Sequence, residues 1–358
     1  MFRILDRYIL KKFLSTFFFT VLLLVAIICV IDFTEKNDDF IKHNLGADMI
    51  LGYYLKMVPY IANMLSPITV FIATVFVTAK LAAHTEVIAM LSSGISFKRI
   101  MLPYFLGSIF IGVLIFILIG WFLPVFNKDR VAFERQYIKN EYYFEGRNVH
   151  MKIAPETYVY LESYNNQLKV GYQFTLESIK EVDLRSKLKA TKIFWNTEKN
   201  LWTVENYTIR TFDGENEKIM SGSVLDTIIN LSPSDFESTY MLHETFTLPE
   251  LDNYIKEMKE RGAENTTVYE IEKYERYTYP FAILILTIMG VIVSARKSRE
   301  GTGFQIAFGF LLSFVYIIFV IFSRSIANAG SLSPLMAAWM PNIVFSGIGV
   351  VLYKTVPR

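Results

Sequence analysis

The chain has 358 residues, of which 53% are hydrophobic, and its formal net charge is +2. Soluble domains contain about 45–50% apolar residues, so the excess argues against a purely soluble protein. The near-neutral charge argues against a nucleic-acid partner, and the single cysteine, Cys29, excludes a disulfide within the chain.

Six long apolar runs predict membrane-spanning helices, because roughly 20 apolar residues cross the hydrocarbon core as a helix. They cover residues 13–31, 57–79, 100–125, 277–295, 304–323 and 335–352. The first run follows basic residues, as in a signal peptide, but it is longer than a signal core and no cleavage site follows it. We therefore interpret it as an uncleaved span. The prolines of the second and sixth runs are tolerated where neighbouring helices satisfy the backbone.

Basic residues in the short connecting segments predict the orientation of the spans. Twelve Lys and Arg fall in the 48 residues of 1–12, 80–99, 294–303 and 353–358, against four in the 36 residues of 32–56 and 324–334. The first set is therefore expected in the cytoplasm, with both termini. The expected organisation is three spans in residues 1–125, an outside domain in 126–276 and three spans in 277–358.

The outside domain is predicted to be all-β, because short alternating runs fill residues 148–245. Trp195 and Trp202 flank a polar turn and indicate a hairpin, and we expect them to pack in a core, with an apolar cradle for lipid as the alternative. A helix is predicted at about 248–261. Thr247 and Glu250 form its capping box, and Gly262 is placed to end it.

A short amphipathic helix at about 80–96 is predicted between the second and third spans. One face carries Leu81, His84, Ile88, Leu91 and Ile95, and the other carries Ala83, Glu86, Met90 and Ser93. Gly94 is placed to end the helix. Two interpretations fit this pattern: a helix lying in the lipid headgroups, or a helix that docks on a cytoplasmic partner through Glu86.

The sequence contains no Walker A, H-E-x-x-H or G-x-S-x-G motif. The predicted spans carry no acid away from their ends, which argues against a proton relay. Energy for transport would then come from another subunit. Two further classes stay open: a sensor whose β domain binds a ligand without moving lipid, and a lipid-modifying enzyme, for which paired acids or His–acid pairs are not evident.

Four segments carry a resemblance that extends over essentially the whole chain. They are LDRYILKKF at 5–13, HTEVIAMLSSGISFKRIM at 84–101, LSPSDF at 231–236 and TLPELDNYIKEMKERG at 247–262. They resemble the LptF/LptG permeases of lipopolysaccharide export, and the first is more similar to LptG. The resemblance implies a six-span helical bundle with an inserted periplasmic jellyroll-like domain, in the inner membrane of a bacterium.

The resemblance also implies the partners of the chain. It pairs with a second LptF/LptG-type permease, and a cytoplasmic ABC ATPase dimer, LptB-like, binds ATP and Mg and drives both. Lipopolysaccharide passes to periplasmic jellyroll proteins, LptC-like and LptA-like. No cofactor is expected in this chain.

The resemblance assigns the loop to the coupling helix, with Glu86, Met90, Ser93 and Gly94 as the expected ATPase contacts. Basic residues at the outer ends of spans one and three are the candidates for lipid headgroups: Arg130, Arg135, Lys128, Lys36 and Lys42. Solvated loop charges are the alternative for each, and Asp32 stands where the family suggests a lysine. Spans one and five are the implied gate, where Gly301, Gly303 and Gly309 would permit close helix approach. Core packing explains the same glycines equally well.

Overall fold

The computed structural model describes residues 4–139, 142–181, 183–214, 216–261, 266–295 and 302–354. The helices before the β insert are α1 (Ile4–Lys42), α2 (Ala47–Ala83), α3 (Glu86–Ser92), α4 (Phe97–Ile117) and α5 (Leu123–Phe133), with π-helical segments at Leu118–Phe122 and Glu134–Ile138. The helices that follow are α6 (Leu248–Glu260), α7 (Thr267–Ser294), α8 (Thr302–Asn328) and α9 (Pro334–Lys354).

Within the described ranges, six helical segments are long and apolar enough to cross a membrane. They are α1, α2, the continuous segment Phe97–Ile138, α7, α8 and α9. The prediction of a six-span membrane bundle is confirmed. With 39 residues, α1 is roughly 58 Å long, about twice the thickness of the hydrocarbon core.

The chain forms two compact units. One contains residues 1–138, 241–251 and 267–358, and the other contains residues 139–240 and 252–266. The domain boundary expected at 125/126 falls inside the third spanning helix, which continues to Ile138. In this continuation Arg130 and Glu134 form an ion pair one turn apart.

The helical unit is built around α2 and α7. In the most apolar part of α2, 67% of the residues are buried, against 11% in α1 and 22% in α8. Residues from α2 and α7 with no exposed surface include Val70, Phe71, Ile283 and Leu286. Large side chains on α1 and α8 instead point away from this core, among them Phe19, Leu22, Phe314 and Phe322.

Pro67 lies inside α2 and cannot donate the backbone hydrogen bond that the Asn63 carbonyl would accept. Two side chains replace that donor. The hydroxyl of Ser66 donates to the Asn63 carbonyl at 2.8 Å, and the hydroxyl of Tyr279 from α7 donates to the same oxygen at 2.6 Å. The proline therefore ties α2 to α7 instead of breaking the helix.

Glycines mark the points at which helices approach closely. A Cβ added at Gly112 would lie 3.4 Å from Pro280, and one added at Gly309 would lie 3.1 Å from Phe71. The contact of Gly309 is with α2 of the same chain, so it supports packing within the bundle. A Cβ at Gly303 would meet nothing within 4 Å, and Gly301 lies outside the described residues.

The insert contains a six-stranded antiparallel sheet in which each strand pairs with the next along the chain. The strands are β1 (Arg147–Ala154), β2 (Thr157–Asn165), β3 (Val170–Lys180), β4 (Asp183–Asn196), β5 (Leu201–Asp213) and β6 (Asn216–Thr227). The prediction of an inserted all-β domain is confirmed, and its strand order is that of a meander. Trp195 lies opposite Trp202 across the β4–β5 hairpin, as predicted.

The core of the insert forms on one face of this sheet. Trp202 is 1% exposed, and its indole nitrogen donates a hydrogen bond of 2.7 Å to the carbonyl of Leu231. The rings of Tyr164 and Phe236 stack at 3.9 Å beside it. The structure thus places Trp202 in the packed core, while Trp195 stays partly exposed at the core margin.

The start of α6 shows half of the expected capping box. The Glu250 carboxylate accepts a hydrogen bond of 2.8 Å from the backbone nitrogen of Thr247, and the Thr247 hydroxyl donates to the same carboxylate oxygen at 2.9 Å. This carboxylate satisfies a donor that the first turn of a helix leaves unpaired. The predicted stop at Gly262 lies outside the described residues.

Candidate functional site

The loop end of the bundle consists of residues 84–96 and the first two turns of α1. Within it α3 is a seven-residue helix bounded by two backbone corners. Thr85 opens it with a φ of 59°, and Gly94 follows it with a φ of 82°. The Ile95 nitrogen donates to the Met90 carbonyl and the Gly94 nitrogen donates to the Leu91 carbonyl. These bonds form a Schellman motif, which requires the left-handed backbone of Gly94.

The helix is shorter than the predicted segment 80–96, and its buried face differs. The left-handed residue Thr85 interrupts the helix, so the positions after it are rotated relative to α2. Val87 and Met90 pack into the core, and Met90 is 8% exposed. Ile88, which a continuous helix would bury, is 50% exposed. The assignment of Met90 to a partner contact is therefore corrected: Met90 holds α3 on the bundle.

The polar surface of α3 begins with Glu86. Its carboxylate accepts a hydrogen bond of 3.2 Å from the Tyr8 hydroxyl of α1. The Lys12 ammonium contacts the same hydroxyl and lies 4.1 Å from the centre of the Tyr8 ring. At the other end of the helix Ser93 is exposed, and its hydroxyl donates to the Met90 carbonyl at 2.8 Å. Of the predicted ATPase contacts, Glu86, Ser93 and Gly94 are thus at least partly accessible, and α3 also exposes Ile88.

The insert end of the bundle, from which the chain leaves for the β insert, contains a charged network centred on Glu134. One oxygen of this carboxylate accepts from the Tyr53 hydroxyl at 2.9 Å and from the Arg130 guanidinium at 3.1 Å. The Lys36 ammonium donates to Tyr53 at 2.6 Å and pairs with Asp32 at 2.7 Å. The network therefore links α1, α2 and the end of the third span.

Arg130 is enclosed by this network. Its side chain is 2% exposed, and it pairs with Glu134 at 3.1 Å and with Glu244 at 2.9 Å. The guanidinium also lies 4.0 Å from the centre of the Tyr60 ring. The structure corrects the expectation that Arg130 meets a lipid phosphate, because all faces of its guanidinium are occupied by groups of the chain.

A cavity of about 430 Å³ lies beside the network inside the helical unit. Its walls come from α2, the third span, α7, α8 and α9, and they are largely apolar. One wall carries Glu244, Glu272, Glu275, Arg276 and Arg324. Four of these charges pair with one another: Arg324 contacts Glu275 and also Glu272 at 3.2 Å, and Arg276 contacts Glu272 at 2.9 Å. The paired charges stabilise the contact of α7 with α8.

Glu244 precedes α6, outside the spanning helices, and its carboxyl is largely buried. Burial, together with the negative charge of Glu272, raises the pKa of Glu244 to about 7, although Arg130 opposes the shift. Burial lowers the pKa of the adjacent His243 imidazole, and Arg324 and Arg276 act in the same direction. The wall of the cavity thus contains an acid that titrates near neutral pH.

Known proteins with six spans and a β domain inserted between the third and the fourth can be compared with this chain. The family described as lipopolysaccharide export system permease LptF/LptG matches residues 7–355. The chain belongs to the LptF/LptG family. It is 20% identical to lipopolysaccharide export system permease protein LptG of Escherichia coli strain K12 over 353 residues, 96% of each chain. An uncharacterized protein of Aquifex aeolicus is 24% identical over 362 residues, 94% of each chain.

Membership in the LptF/LptG family establishes the class of the protein as a permease, a transporter subunit of the lipopolysaccharide export system. With its six spans it is a multi-pass protein of the inner membrane. The family is the permease component of an ABC transporter, which implies an ATPase and lipopolysaccharide as partners.

The other cations suggested by the LptF/LptG resemblance occupy different environments. Lys36 is held by Asp32 and Tyr53, and Lys128 forms a half-exposed pair with Glu250 at 3.1 Å. Arg135 is half-buried within the π-helical end of the third span. Lys42 is exposed at the end of α1, and within the described ranges it forms no ion pair. The structure brings Lys36 and Arg130 together through Glu134 and leaves Lys42 apart.

The acids of the insert end were not singled out from the sequence. Glu134, Glu272 and Glu275 lie in helices that continue beyond the predicted apolar runs, so hydropathy alone does not assign them to spanning helices. The spacing of Glu272 and Arg276, one helical turn apart, was the available signal. The contacts of Glu272 and Glu275 with Arg324 join two different helices, and a single sequence does not predict them.

Proposed function

We propose that the chain is a permease subunit that extracts lipopolysaccharide from the outer leaflet of the inner membrane and passes it to a periplasmic bridge. The observation that carries this proposal is the uncovered apolar surface of α1 and α8. Both helices pack on the bundle through one side only, and their other sides present Phe19, Leu22, Phe314 and Phe322. Acyl chains, or a second permease of the same family, match such a surface.

In this proposal α1 and α8 line a chamber that is completed by the second permease. Lipopolysaccharide is multiply acylated and anionic, so the chamber requires wide apolar walls and cations near its outer rim. Lys42 is the first candidate for a phosphate contact, because it is exposed at the end of α1 and forms no ion pair within the described residues. Lys128 and Arg135 are secondary candidates, and Lys36 requires release from Asp32 and Tyr53.

In this proposal the loop end lies in the cytoplasm, with both termini, because Lys80, Lys98 and Arg99 flank α3. The β insert is then periplasmic. The partly exposed carboxylate of Glu86, with Ser93 and Gly94 at the other end of α3, offers a docking surface to a cytoplasmic ATPase dimer that binds ATP and Mg. Closure of that dimer pushes α3, narrows the chamber and drives the lipid toward LptC-like and LptA-like jellyroll partners.

Charge reversal tests the docking step. Glu86→Lys in the intact complex is expected to abolish co-purification of the ATPase and ATP-driven release of lipopolysaccharide from proteoliposomes. Glu257→Lys makes the same charge change at an exposed position of α6 and is expected to change neither measurement. Unchanged ATPase binding and unchanged release in Glu86→Lys would contradict docking through α3.

Native mass spectrometry of the complex tests the transport function itself. We expect a phosphorylated, multiply acylated lipid to accompany the complex from native membranes, and Lys42→Glu to reduce its occupancy. Lys139→Glu, an exposed cation in the other unit, serves as the control. A complex without lipid and without an ATPase would instead support a sensor that binds a ligand through the β domain.

A further inference from the structure

Two polar contacts join the first turns of α1 to the loop that contains α3. The Asp6 carboxylate accepts a hydrogen bond of 2.5 Å from the Arg99 guanidinium, which lies in the first turn of α4. Two residues further along α1, the Tyr8 hydroxyl donates to Glu86 in the first turn of α3. The start of α1 therefore contacts the segment 86–99 at both of its ends.

The Asp6–Arg99 pair is the stronger of these contacts. Asp6 is 4% exposed and Arg99 is 28% exposed, so water screens their attraction only weakly. Removing the Arg99 guanidinium would take a close cation away from the buried Asp6 carboxylate. The Tyr8–Glu86 hydrogen bond is more exposed, and Lys12 also contacts the Tyr8 hydroxyl. This second contact orients the Glu86 carboxylate without burying it.

Close packing continues the attachment along α1 and α4. A Cβ added at Gly107 would lie 2.8 Å from the Phe13 ring and 2.9 Å from Leu10. The rings of Phe13 and Tyr104 lie 5.4 Å apart. Asp6, Ile9, Phe13 and Phe17 form the buried stripe of this half of α1, at a spacing of three or four residues. From Phe18 onward, Val25 and Phe40 are the only buried residues of α1.

We propose that Asp6 and Arg99 are positioning residues that make the start of α1 and the loop 84–99 a single mechanical unit. A displacement of α3 then moves α1 directly, without first passing through the buried centre formed by α2 and α7. This inference rests on the proposed function, in which α3 receives force from the ATPase and α1 lines the lipid chamber. In this proposal Asp6 and Arg99 act through the helices that they join.

The amount of lipid released per ATP hydrolysed tests the proposal in the reconstituted complex. We expect Asp6→Asn and Arg99→Gln to retain the ATPase and to hydrolyse ATP within about twofold of the unmodified complex. Lipopolysaccharide release per ATP should fall about tenfold, within the range found for contacting residue pairs. The exchange Asp6→Arg/Arg99→Asp should recover most of the loss. Release and hydrolysis falling in equal proportion, or no recovery in the exchange, would overturn the proposal.

A crosslink provides a second measurement that does not depend on the charge variants folding. Asp6→Cys/Arg99→Cys is made in a Cys29→Ser background, because Cys29 is the single native cysteine. Bridging the two thiols with a short bifunctional reagent should restore release per ATP, since the two segments are proposed to move together. If crosslinking blocks release while hydrolysis continues, the segments must separate during transport and the proposal fails.

Glu86→Lys, measured in parallel, separates this inference from the docking proposal. The docking proposal predicts that Glu86→Lys loses the ATPase, whereas the Asp6 and Arg99 variants are expected to keep the ATPase bound. If Glu86→Lys keeps the ATPase while the Asp6 and Arg99 variants still lower release per ATP, docking through Glu86 is wrong and the mechanical unit stands. If the charge variants lose ATPase binding themselves, the positioning role is overturned.

Discussion

Arg130 and Glu134 lie one turn apart in the third spanning helix and form an ion pair whose side chains are 2% and 5% exposed. Arg130 also neutralises Glu244 at 2.9 Å. Arg130→Ala would leave these two carboxylates with less compensation, so we expect a loss of about 3–5 kcal/mol in the free energy of unfolding. The measurement is unfolding of the purified chain in mixed micelles.

Lys128→Ala is the matched control for Arg130→Ala. Lys128 lies in the same helix, and its pair with Glu250 is about half exposed on both sides. Exposed pairs of this kind contribute about 0–1 kcal/mol. Equal losses in the two variants would show that the buried network does not stabilise the insert end.

The titration of Glu244 should produce a defined pH dependence of stability. Its pKa is about 7 in the folded chain and 4.5 ordinarily. Between these pH values the folded chain holds a proton that the unfolded chain has released. The contribution of Glu244 to the free energy of unfolding is therefore full below pH 4.5 and is lost as the pH rises through 7. Relative to Glu244→Gln, the native chain should lose about 3 kcal/mol between pH 4.5 and 7.5.

The check is the difference in unfolding free energy between the native chain and Glu244→Gln across this pH range. Glu250 offers a contrast of opposite sign, because its hydrogen bond from the Thr247 backbone lowers the pKa of its carboxyl. Its contribution is present above the ordinary pKa and is lost as the pH falls. Parallel pH profiles for the native chain and Glu244→Gln would refute the assigned titration.

The crossing of α1 and α4 should be sensitive to a single methyl group. Gly107→Ala places a Cβ within 2.8 Å of the Phe13 ring, which has no exposed surface and packs on Tyr104. Overpacking of this kind costs about 1–3 kcal/mol. Gly52→Ala adds the same methyl group to α2, where nothing lies within 4 Å. Gly52→Ala should leave the stability of the chain unchanged or raise it by up to about 1 kcal/mol. Thermal unfolding of the two variants provides the measurement.

The core of the insert should depend on Trp202 more than on Trp195. Trp202→Phe removes the hydrogen bond to the buried Leu231 carbonyl, and an unsatisfied buried group costs about 1–3 kcal/mol. Trp195 is partly exposed, so Trp195→Phe should cost less. Hydrogen–deuterium exchange of the full chain provides the measurement. Faster exchange of β4–β6 in Trp202→Phe alone is expected, and equal effects in both variants would contradict the assignment of the core.

The number and location of the spans, and the presence of a β insert between the third and fourth, followed from the sequence. A long apolar run indicates a spanning helix, because the hydrocarbon core requires apolar residues along its whole thickness. Alternating apolar and polar residues indicate a strand, because one face of a sheet is buried. The hairpin joining Trp195 to Trp202 followed in the same way, because a local turn sets its register.

The buried face of α3 could not be derived from periodicity. A helical wheel assumes a continuous helix, and the left-handed Thr85 breaks that continuity, which buries Met90 and exposes Ile88. Threonine rarely adopts this backbone conformation, so the residue type at position 85 does not predict the break.

The roles of the cations were likewise decided by tertiary structure. In the sequence, Arg130 and Lys42 are equivalent basic residues near the outer ends of spans. In the fold, Arg130 is surrounded by Glu134, Glu244 and Tyr60, whereas Lys42 stays exposed. Hydropathy records how much of a segment is apolar, but the partner of a charge depends on which distant helix ends meet. That information arises only when the helices pack.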